Sequence, residues 1–73
     1  METWFTVTVT LDTGSEANTV VFNTNNYSNI LSVVDLVYDG YAVMDSDGHA
    51  YRFNKDKILF VEVYDSTEFL GED

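Results

Sequence analysis

The residues with the clearest chemical potential lie in one short stretch, Asp45-Ser46-Asp47-Gly48, which is followed directly by His49. Two carboxylates separated by one residue and followed by glycine resemble the start of an EF-hand calcium loop. A complete loop needs further oxygen ligands and a bidentate Glu at its end, and Arg52 and Asp56 do not supply that pattern. The flanks also have the pattern of strands instead of helices. We therefore predict a plain hairpin turn here, with no metal and no cofactor.

His49 is the single histidine of the chain. A histidine without a nucleophile or a second base is a weak candidate for acid–base catalysis, so we interpret it as a surface residue. The sequence contains no pair of catalytic carboxylates, no glycine-rich phosphate loop and no nucleophile elbow. A chain of 73 residues also leaves little room for an enclosed pocket of ordinary ligand size. We predict that the protein is not an enzyme.

The charge is strongly negative: 13 acidic residues face 3 basic ones, for a formal net charge of −10. Such a charge can prevent folding, but 45% of the residues are hydrophobic and they alternate, which favours a folded domain. Nucleic acids and anionic membranes are both disfavoured as partners, because their phosphates need Lys and Arg. A basic protein surface is the natural electrostatic partner.

The negative charge is concentrated in the second half of the chain. Residues 1–34 hold three acids and no base, whereas residues 35–73 hold ten acids and all three bases, which are Arg52, Lys55 and Lys57. We predict an acidic region that binds a partner, formed by Asp35, Asp39, Asp45, Asp47, Asp65 and Glu68. Asp35 and Asp39 lie four residues apart, so a helix would place them on one face.

The first strand of the chain carries no charge. In Thr3–Leu11 the apolar residues alternate with a polar series, and this period of two is typical of a half-buried strand. An exposed edge of this kind invites pairing with another chain. Either this strand lies inside the sheet, or a second copy or a partner covers it. On the second interpretation we predict a dimer interface formed by Trp4, Thr6, Thr8 and Thr10.

The next segments predict a strand and a helix. Asn18–Thr24 reads as the second strand of a hairpin. Between residues 28 and 38 apolar residues recur at helical spacing, with Asn26 or Ser28 as the N-cap and Gly40 at the end. A strand is the alternative for this segment, because its valines are poor helix formers.

Residues 41–64 predict three strands in two successive hairpins, and the chain is organised around them. The last of these strands, Ile58–Tyr64, is apolar on both faces, so both should be covered. One cover is the helix, and the other is the first hairpin, the tail or another chain. The predicted fold class is α+β: an antiparallel sheet of about five strands in the order β-β-α-β-β-β, with one short helix on one face. We predict that residues 1–64 form a single domain and that residues 65–73 form an acidic tail, which is either a frayed end or a short helical turn.

In size and acidity the chain resembles the small inhibitors that phages use against restriction or CRISPR nucleases, a likeness of composition that covers no aligned residues. The resemblance implies a non-enzymatic inhibitor that imitates DNA and occupies the basic nucleic-acid-binding surface of a partner protein. The alternative is a structural or assembly module that dimerises through the N-terminal strand. The sequence shows no apolar run of signal-peptide or membrane-spanning length. We therefore expect a cytoplasmic location, in the cell or in a phage-infected host.

Overall fold

The fold combines two antiparallel sheets with one main helix. The computed structural model describes residues 3–70. In chain order the elements are β1 (Phe5–Asp12), β2 (Ala17–Thr24), α1 (Ile30–Tyr38), β3 (Val43–Met44), β4 (Ala50–Tyr51), a 3₁₀ turn (Lys55–Lys57), β5 (Ile58–Asp65) and the short helix α2 (Thr67–Leu70). The α+β class and the order β-β-α-β-β-β are confirmed. The five strands, however, are divided between two sheets.

Strand β1 lies in the centre of the larger sheet, whose order is β2-β1-β5. It pairs along its whole length with β2, from Phe5 opposite Thr24 to Asp12 opposite Ala17. On its other side it pairs with β5, and the register shifts between Thr10 and Leu11. Both edges of β1 are therefore occupied. The interpretation that strand 1 lies inside the sheet is confirmed, and its pairing with another chain as an edge strand is wrong.

Strands β3 and β4 form a small ladder of their own, in which Val43 lies opposite Tyr51. The second predicted hairpin, between His49–Asn54 and Ile58–Tyr64, is wrong, because β5 pairs with β1 instead of β4. The Asn54 side chain accepts a hydrogen bond from Asp56 N at 3.0 Å, and this capped 3₁₀ turn redirects the chain. The long free edge of β1 then offers β5 a much longer ladder than β4 could offer.

One face of the larger sheet carries the core. Its buried apolar residues come from β1, β2, α1 and β3: Phe5, Val7, Val9, Phe22, Val33, Val37 and Val43. Helix α1 packs across this face and against β5. The β3–β4 hairpin covers the part beside β2, where the ring of Tyr51 stacks on that of Phe22 with 4.5 Å between centroids. The core therefore lies between the sheet and a layer made of α1 and the small hairpin.

Helix α1 confirms the predicted helix and excludes the strand alternative. Its N-cap is Asn29, whose side chain accepts a hydrogen bond from Leu31 N at 2.8 Å, and not the predicted Asn26 or Ser28. The predicted ending at Gly40 is confirmed, since this residue has a φ of +78°. Tyr41 N donates to Leu36 O and Gly40 N donates to Val37 O, the pattern of a Schellman motif. Val33 and Val37 are buried on one face of the helix, and this burial outweighs the weak helix propensity of the valines.

Residues 65–70 belong to the folded body. Asp65 is the last residue of β5, and Ser66 is buried and donates its backbone N–H to Trp4 O at 2.9 Å. Helix α2 follows at once. Of the two alternatives for the predicted tail, residues 67–70 form the short helical turn, and residues 71–73 lie outside the described residues.

The opposite face of the larger sheet is largely open. Its exposed apolar side chains include Val21, Phe60 and Tyr64, which are 61%, 52% and 49% accessible. Ser66 covers the Thr6 end of this face through a contact between the two side chains. The first hairpin, the tail and another chain are the three candidates to cover the second face of β5. The start of the tail, just after β5, covers a small part of this face. Within residues 3–70 no helix is long and apolar enough to cross a membrane.

Candidate functional site

The β3–β4 turn is built around the carboxylate of Asp45. Its Oδ1 accepts hydrogen bonds from Asp47 N at 2.9 Å and from His49 N at 2.8 Å. Its Oδ2 accepts one from the Tyr51 hydroxyl at 3.0 Å and lies 3.5 Å from His49 Nδ1. Gly48 adopts a φ of +86°, which closes the turn and which L side chains rarely adopt. Asp45 is thus buried, and both of its oxygens accept hydrogen bonds from the turn or from the strand that follows it.

These hydrogen bonds shift the pKa values of both partners. Burial raises the pKa of Asp45, but the bonds donated by His49 N–H, the Tyr51 hydroxyl and Asp47 N–H together outweigh burial and hold that pKa below its ordinary value. The hydrogen bond to Asp45 raises the pKa of Tyr51, with a further contribution from burial. Asp45 is therefore held as a carboxylate and Tyr51 as a neutral donor.

Possible metal ligands also meet at this turn, because ligand atoms of Asp45, Asp47 and His49 lie within 4.8 Å of one another. Both oxygens of Asp45 already accept hydrogen bonds from the turn and from Tyr51, so Asp45 has a role in the fold that needs no cation. The chain also continues from Gly48 into β4, whereas an EF-hand loop leads into a helix. The geometry is that of a hairpin turn capped by Asp45.

The Asp45 turn is anchored to the end of β2. Ser46 N donates to Asn23 O at 2.9 Å, and Asn26 Nδ2 donates to Asp45 O at 2.9 Å. The buried hydroxyl of Thr24 donates to Met44 O at 2.7 Å. Sequence reasoning did not find these polar anchors. Their signal in the sequence is the run of Asn and Thr at residues 23–26, in which Asn26 is predicted as a possible N-cap of the helix.

The same network continues to the end of β5. Thr6 Oγ1 lies 2.9 Å from Asn23 Oδ1 and 3.1 Å from Ser66 Oγ, so it links the anchor of the turn to the residue after Asp65. Asp65 Oδ1 in turn accepts a hydrogen bond from Thr67 N at 2.9 Å. Hydrogen bonds from the Thr67 hydroxyl and backbone N–H hold the pKa of Asp65 below its ordinary value. Two acidic segments that are distant in sequence are therefore fixed at one end of the sheet.

We call this end of the sheet the acidic end and define it by the predicted residues Asp45, Asp47, Asp65 and Glu68. Asp47, Asp65 and Glu68 are exposed, and Glu68 lies in the first turn of α2. Within residues 3–70 the one ion pair of a carboxylate is that between His49 and Asp45. The exposed acids of this end are therefore not neutralised by Lys or Arg. Asp45 has a structural role, because its oxygens face its own turn.

The predicted residues Asp35 and Asp39 lie outside the acidic end. Both belong to the α1 region, and Asp39 is the C-cap of the helix. Next to it, Gly40 O accepts a hydrogen bond from Arg52 Nε at 3.0 Å. This corner also contains Lys55, which begins the 3₁₀ turn before β5 and lies next to Gly40. The predicted set of six acids is therefore divided between the acidic end and a region that also holds bases.

The four residues predicted to form a dimer interface have different surroundings. Trp4 and Thr6 make contacts inside the chain, since Trp4 N donates to Thr67 Oγ1 at 3.0 Å and Thr6 is buried. Thr8 and Thr10 are half-buried on the open face, beside Glu62 and Phe60 respectively. Pairing through the backbone of this strand is wrong for the reason given above. Packing through the side chains of Thr8 and Thr10 stays a prediction.

Comparison with known proteins identifies no relative. No protein-family model, no curated protein and no solved structure matches this chain. The function is therefore argued from the residues and their geometry.

Proposed function

We propose that this protein is a non-enzymatic binding protein whose acidic end docks on a basic surface of another protein. The observation that carries the proposal is the set of exposed carboxylates of Asp47, Asp65 and Glu68, which share one end of the sheet without an ion pair to Lys or Arg in the described part of the chain. Uncompensated charges of one sign attract a surface of the opposite sign and speed the encounter.

The proposal is supported by the rigidity of two of these segments. The turn that carries Asp47 is fixed by the hydrogen bonds of Asp45, and Asp65 is fixed by Thr67. The carboxylate of Asp65 is itself held in place by Thr67, so it loses little conformational entropy when a cation docks on it. Ordered carboxylates can therefore imitate the phosphates of a nucleic acid more effectively than a flexible acidic tail.

We propose further that the partner is a nucleic-acid-binding enzyme and that occupation of its basic surface inhibits it. This finer proposal follows from the net charge of −10 and from the resemblance in size and acidity to the phage inhibitors described above. A cytoplasmic location, in the cell or in an infected host, goes with such a partner. We propose no catalytic role for His49, whose side chain is 74% exposed and lies beside a carboxylate that is already used by the turn.

The test compares two variants that remove the same amount of charge, one from the acidic end and one from outside it. The first carries Asp47→Asn, Asp65→Asn and Glu68→Gln at the acidic end. The matched control carries Asp35→Asn, Asp39→Asn and Asp56→Asn, all of which are exposed residues outside the acidic end. Amides preserve side-chain shape, and Asn can still accept the bond that Thr67 N donates to Asp65.

The partner is first captured from a host lysate by cross-linking to the wild-type chain, and it is then purified. The affinity of the purified partner for wild type and for each variant is measured at low and high salt. We expect the first variant to bind about tenfold or more weakly and the control to stay within about threefold of wild type. Binding by the wild type should weaken as salt increases. Equal losses in the two variants would mean that binding follows net charge alone, and the proposed docking site would then be wrong.

A second candidate function is an assembly module that packs through the open face of the sheet. Exposure of Val21, Phe60 and Tyr64 on one face favours this candidate, because apolar patches of that kind often mark interfaces. Light scattering at low and high salt separates the two functions. An assembly held by apolar side chains should resist salt, whereas docking through carboxylates should not.

A further inference from the structure

The outer edge of β2 has backbone groups that point away from the sheet. Trp4 O accepts a hydrogen bond from Ser66 N, so Trp4 and Thr6 direct their backbone groups toward the β5 side of β1. In an antiparallel ladder the direction alternates along each strand. Because Thr6 lies opposite Asn23, the groups of Asn23, Val21 and Thr19 point outward from β2. The bond from Ser46 N to Asn23 O confirms this direction independently.

This edge lacks the features that protect most edge strands. Natural sheets block their edges with lysine, proline, bulges or a covering element. The residues of β2, Ala17–Thr24, include no charged residue and no proline, and the register with β1 is unbroken. The other edge strand, β5, carries Glu62 and is packed against α1. The β2 edge is therefore the one most suited to accept another strand.

The β3–β4 turn limits this edge at one end. Ser46 N already uses Asn23 O, so a new strand would pair with the part of β2 before it, around Thr19 and Val21. Both of these residues are exposed. The outward groups at residues 17, 19 and 21 correspond to a ladder about 15–20 Å long, which suits an extended peptide of about six residues.

The charges around the edge indicate what kind of strand would fit. Glu16 directly precedes β2, Asp12 at the end of β1 lies opposite the first residue of β2, and Asp47 lies in the turn that contacts the end of β2. An incoming strand would therefore meet carboxylates at both of its ends and an uncharged middle. A second copy of this chain would bring Glu16 of one molecule near Asp47 of the other in an antiparallel pair. Like charges would oppose that pairing at both ends.

We propose that the β2 edge binds an extended segment of a partner protein by strand addition, and that this segment has an uncharged middle with Lys or Arg at both ends. Backbone hydrogen bonds would supply affinity, and the terminal cations would supply orientation and selectivity. This inference rests on the proposed function for the sign of the partner's charge. It places the contact on β2, which lies beside the turn of Asp47 but on the other side of β1 from Asp65.

The probe is a labelled synthetic peptide with two lysines at each end and alternating threonine and valine between them. Its binding to the full chain is measured by fluorescence anisotropy. The first control peptide has the same sequence but is N-methylated at each central amide, which removes the backbone donors and keeps the charge. The second control has glutamates in place of the lysines. We expect each control to bind about tenfold or more weakly than the probe.

The protein variant is Val21→Pro, with Val21→Thr as its matched control. Proline removes the outward N–H of Val21 and leaves the ladder to β1 intact, which is the arrangement that edge strands tolerate. We expect Val21→Pro to bind the probe about tenfold more weakly and Val21→Thr to stay within about twofold. Circular dichroism checks that both variants fold, and Thr19→Pro replaces Val21→Pro if the latter does not.

Three results would overturn the inference. Absence of binding by the probe would exclude strand addition of this kind. The second result is that wild type binds the probe and the N-methylated peptide equally, and that Val21→Pro binds the probe as tightly as wild type does. It would show that the lysines bind by charge alone, which leaves the proposed docking of a basic partner standing. A wild-type dimer that Val21→Pro converts to a monomer would assign the edge to a second copy. If the acidic-end variant binds the purified partner as well as wild type does, and the probe peptide still binds to β2, the proposed function is wrong and this inference stands.

Discussion

Thr6 and Ser66 lie side by side, with 3.1 Å between their hydroxyl oxygens, although 60 positions separate them in the chain. This contact ties the central strand to the residue that follows the last strand. It is reinforced by the bond from Ser66 N to Trp4 O. Because Asp65 precedes Ser66 and Glu68 follows it, the contact also fixes where these acids lie relative to the sheet.

Replacement of Thr6 by valine should loosen this junction. Thr6→Val removes the hydroxyl that contacts both Asn23 and Ser66, and leaves their polar atoms short of a partner. We expect the free energy of unfolding to fall by about 1 kcal/mol. Amide hydrogen exchange in residues 67–70 should also become faster than exchange in the centre of β1. Thr8→Val, on the same face, is the control and should change stability by less than about 0.5 kcal/mol. Equal effects of the two substitutions would contradict the role of Thr6.

The Asp45 turn should give the protein a specific sensitivity to acid. Because the folded state lowers the pKa of Asp45, its ionised form stabilises the fold above the unfolded pKa, and this stabilisation is lost as the pH falls through the folded pKa. Asp65 acts in the same direction. We expect Asp45→Asn to be less stable than wild type at neutral pH and to lose less stability between about pH 5 and pH 2.

Urea unfolding, followed by tryptophan fluorescence across this pH range, measures the effect. Asp47→Asn is the matched control, because the exposed Asp47 side chain does not hold the donors that Asp45 holds. Its stability should follow the wild-type dependence on pH. If the stability of Asp45→Asn still falls as steeply at acid pH as that of wild type, other carboxylates dominate acid unfolding.

Thr24 should be sensitive to a substitution that preserves its shape. Its side chain is fully buried, and its hydroxyl donates to Met44 O. Thr24→Val leaves that carbonyl without this donor, so we expect a loss of about 1–2 kcal/mol in unfolding free energy. Thr19→Val, at an exposed position on the same strand, is the control. If chemical denaturation gives the same stability for both variants, the bond to Met44 contributes nothing.

The two faces of the larger sheet should respond differently to the same loss of volume. Val7 is fully buried on the core face, whereas Val21 is 61% exposed on the open face. We expect Val7→Ala to lower the unfolding free energy by about 2 kcal/mol, because it removes two buried carbon atoms and leaves a cavity. Val21→Ala should change it by less than about 0.5 kcal/mol. A large loss at Val21 would mean that the open face is covered in solution, which light scattering would then test.

The strands and the helix could be predicted because their signals are local. Alternation in β1, helical spacing in α1 and the Gly40 ending are each visible in a short window of residues. The partner of β5 could not be predicted in this way. Its choice of β1 over β4 depends on the length of ladder that a distant strand offers, and no local pattern records that length.

The candidate site could be predicted in part. Charge alone predicts Asp47, Asp65 and Glu68 as partner-binding residues, and the fold brings them to one end of the sheet. Charge alone also predicts Asp45, although its side chain is buried. A carboxylate that accepts bonds from its own turn has the same sequence signature as an exposed one. The tertiary role of Thr6 was also invisible, because a threonine in an alternating strand looks like a solvent-facing residue.

The central position of β1 has a consequence for synthesis on the ribosome. Strand β1 emerges before β5 (Ile58–Asp65), and it needs β5 to complete its second ladder. Until that strand leaves the exit tunnel, one side of a neutral, β-prone segment stays unpaired. Collapse of the sheet should therefore wait until residue 65 has left the exit tunnel, and a nascent chain stalled before that point should be the form that chaperones retain.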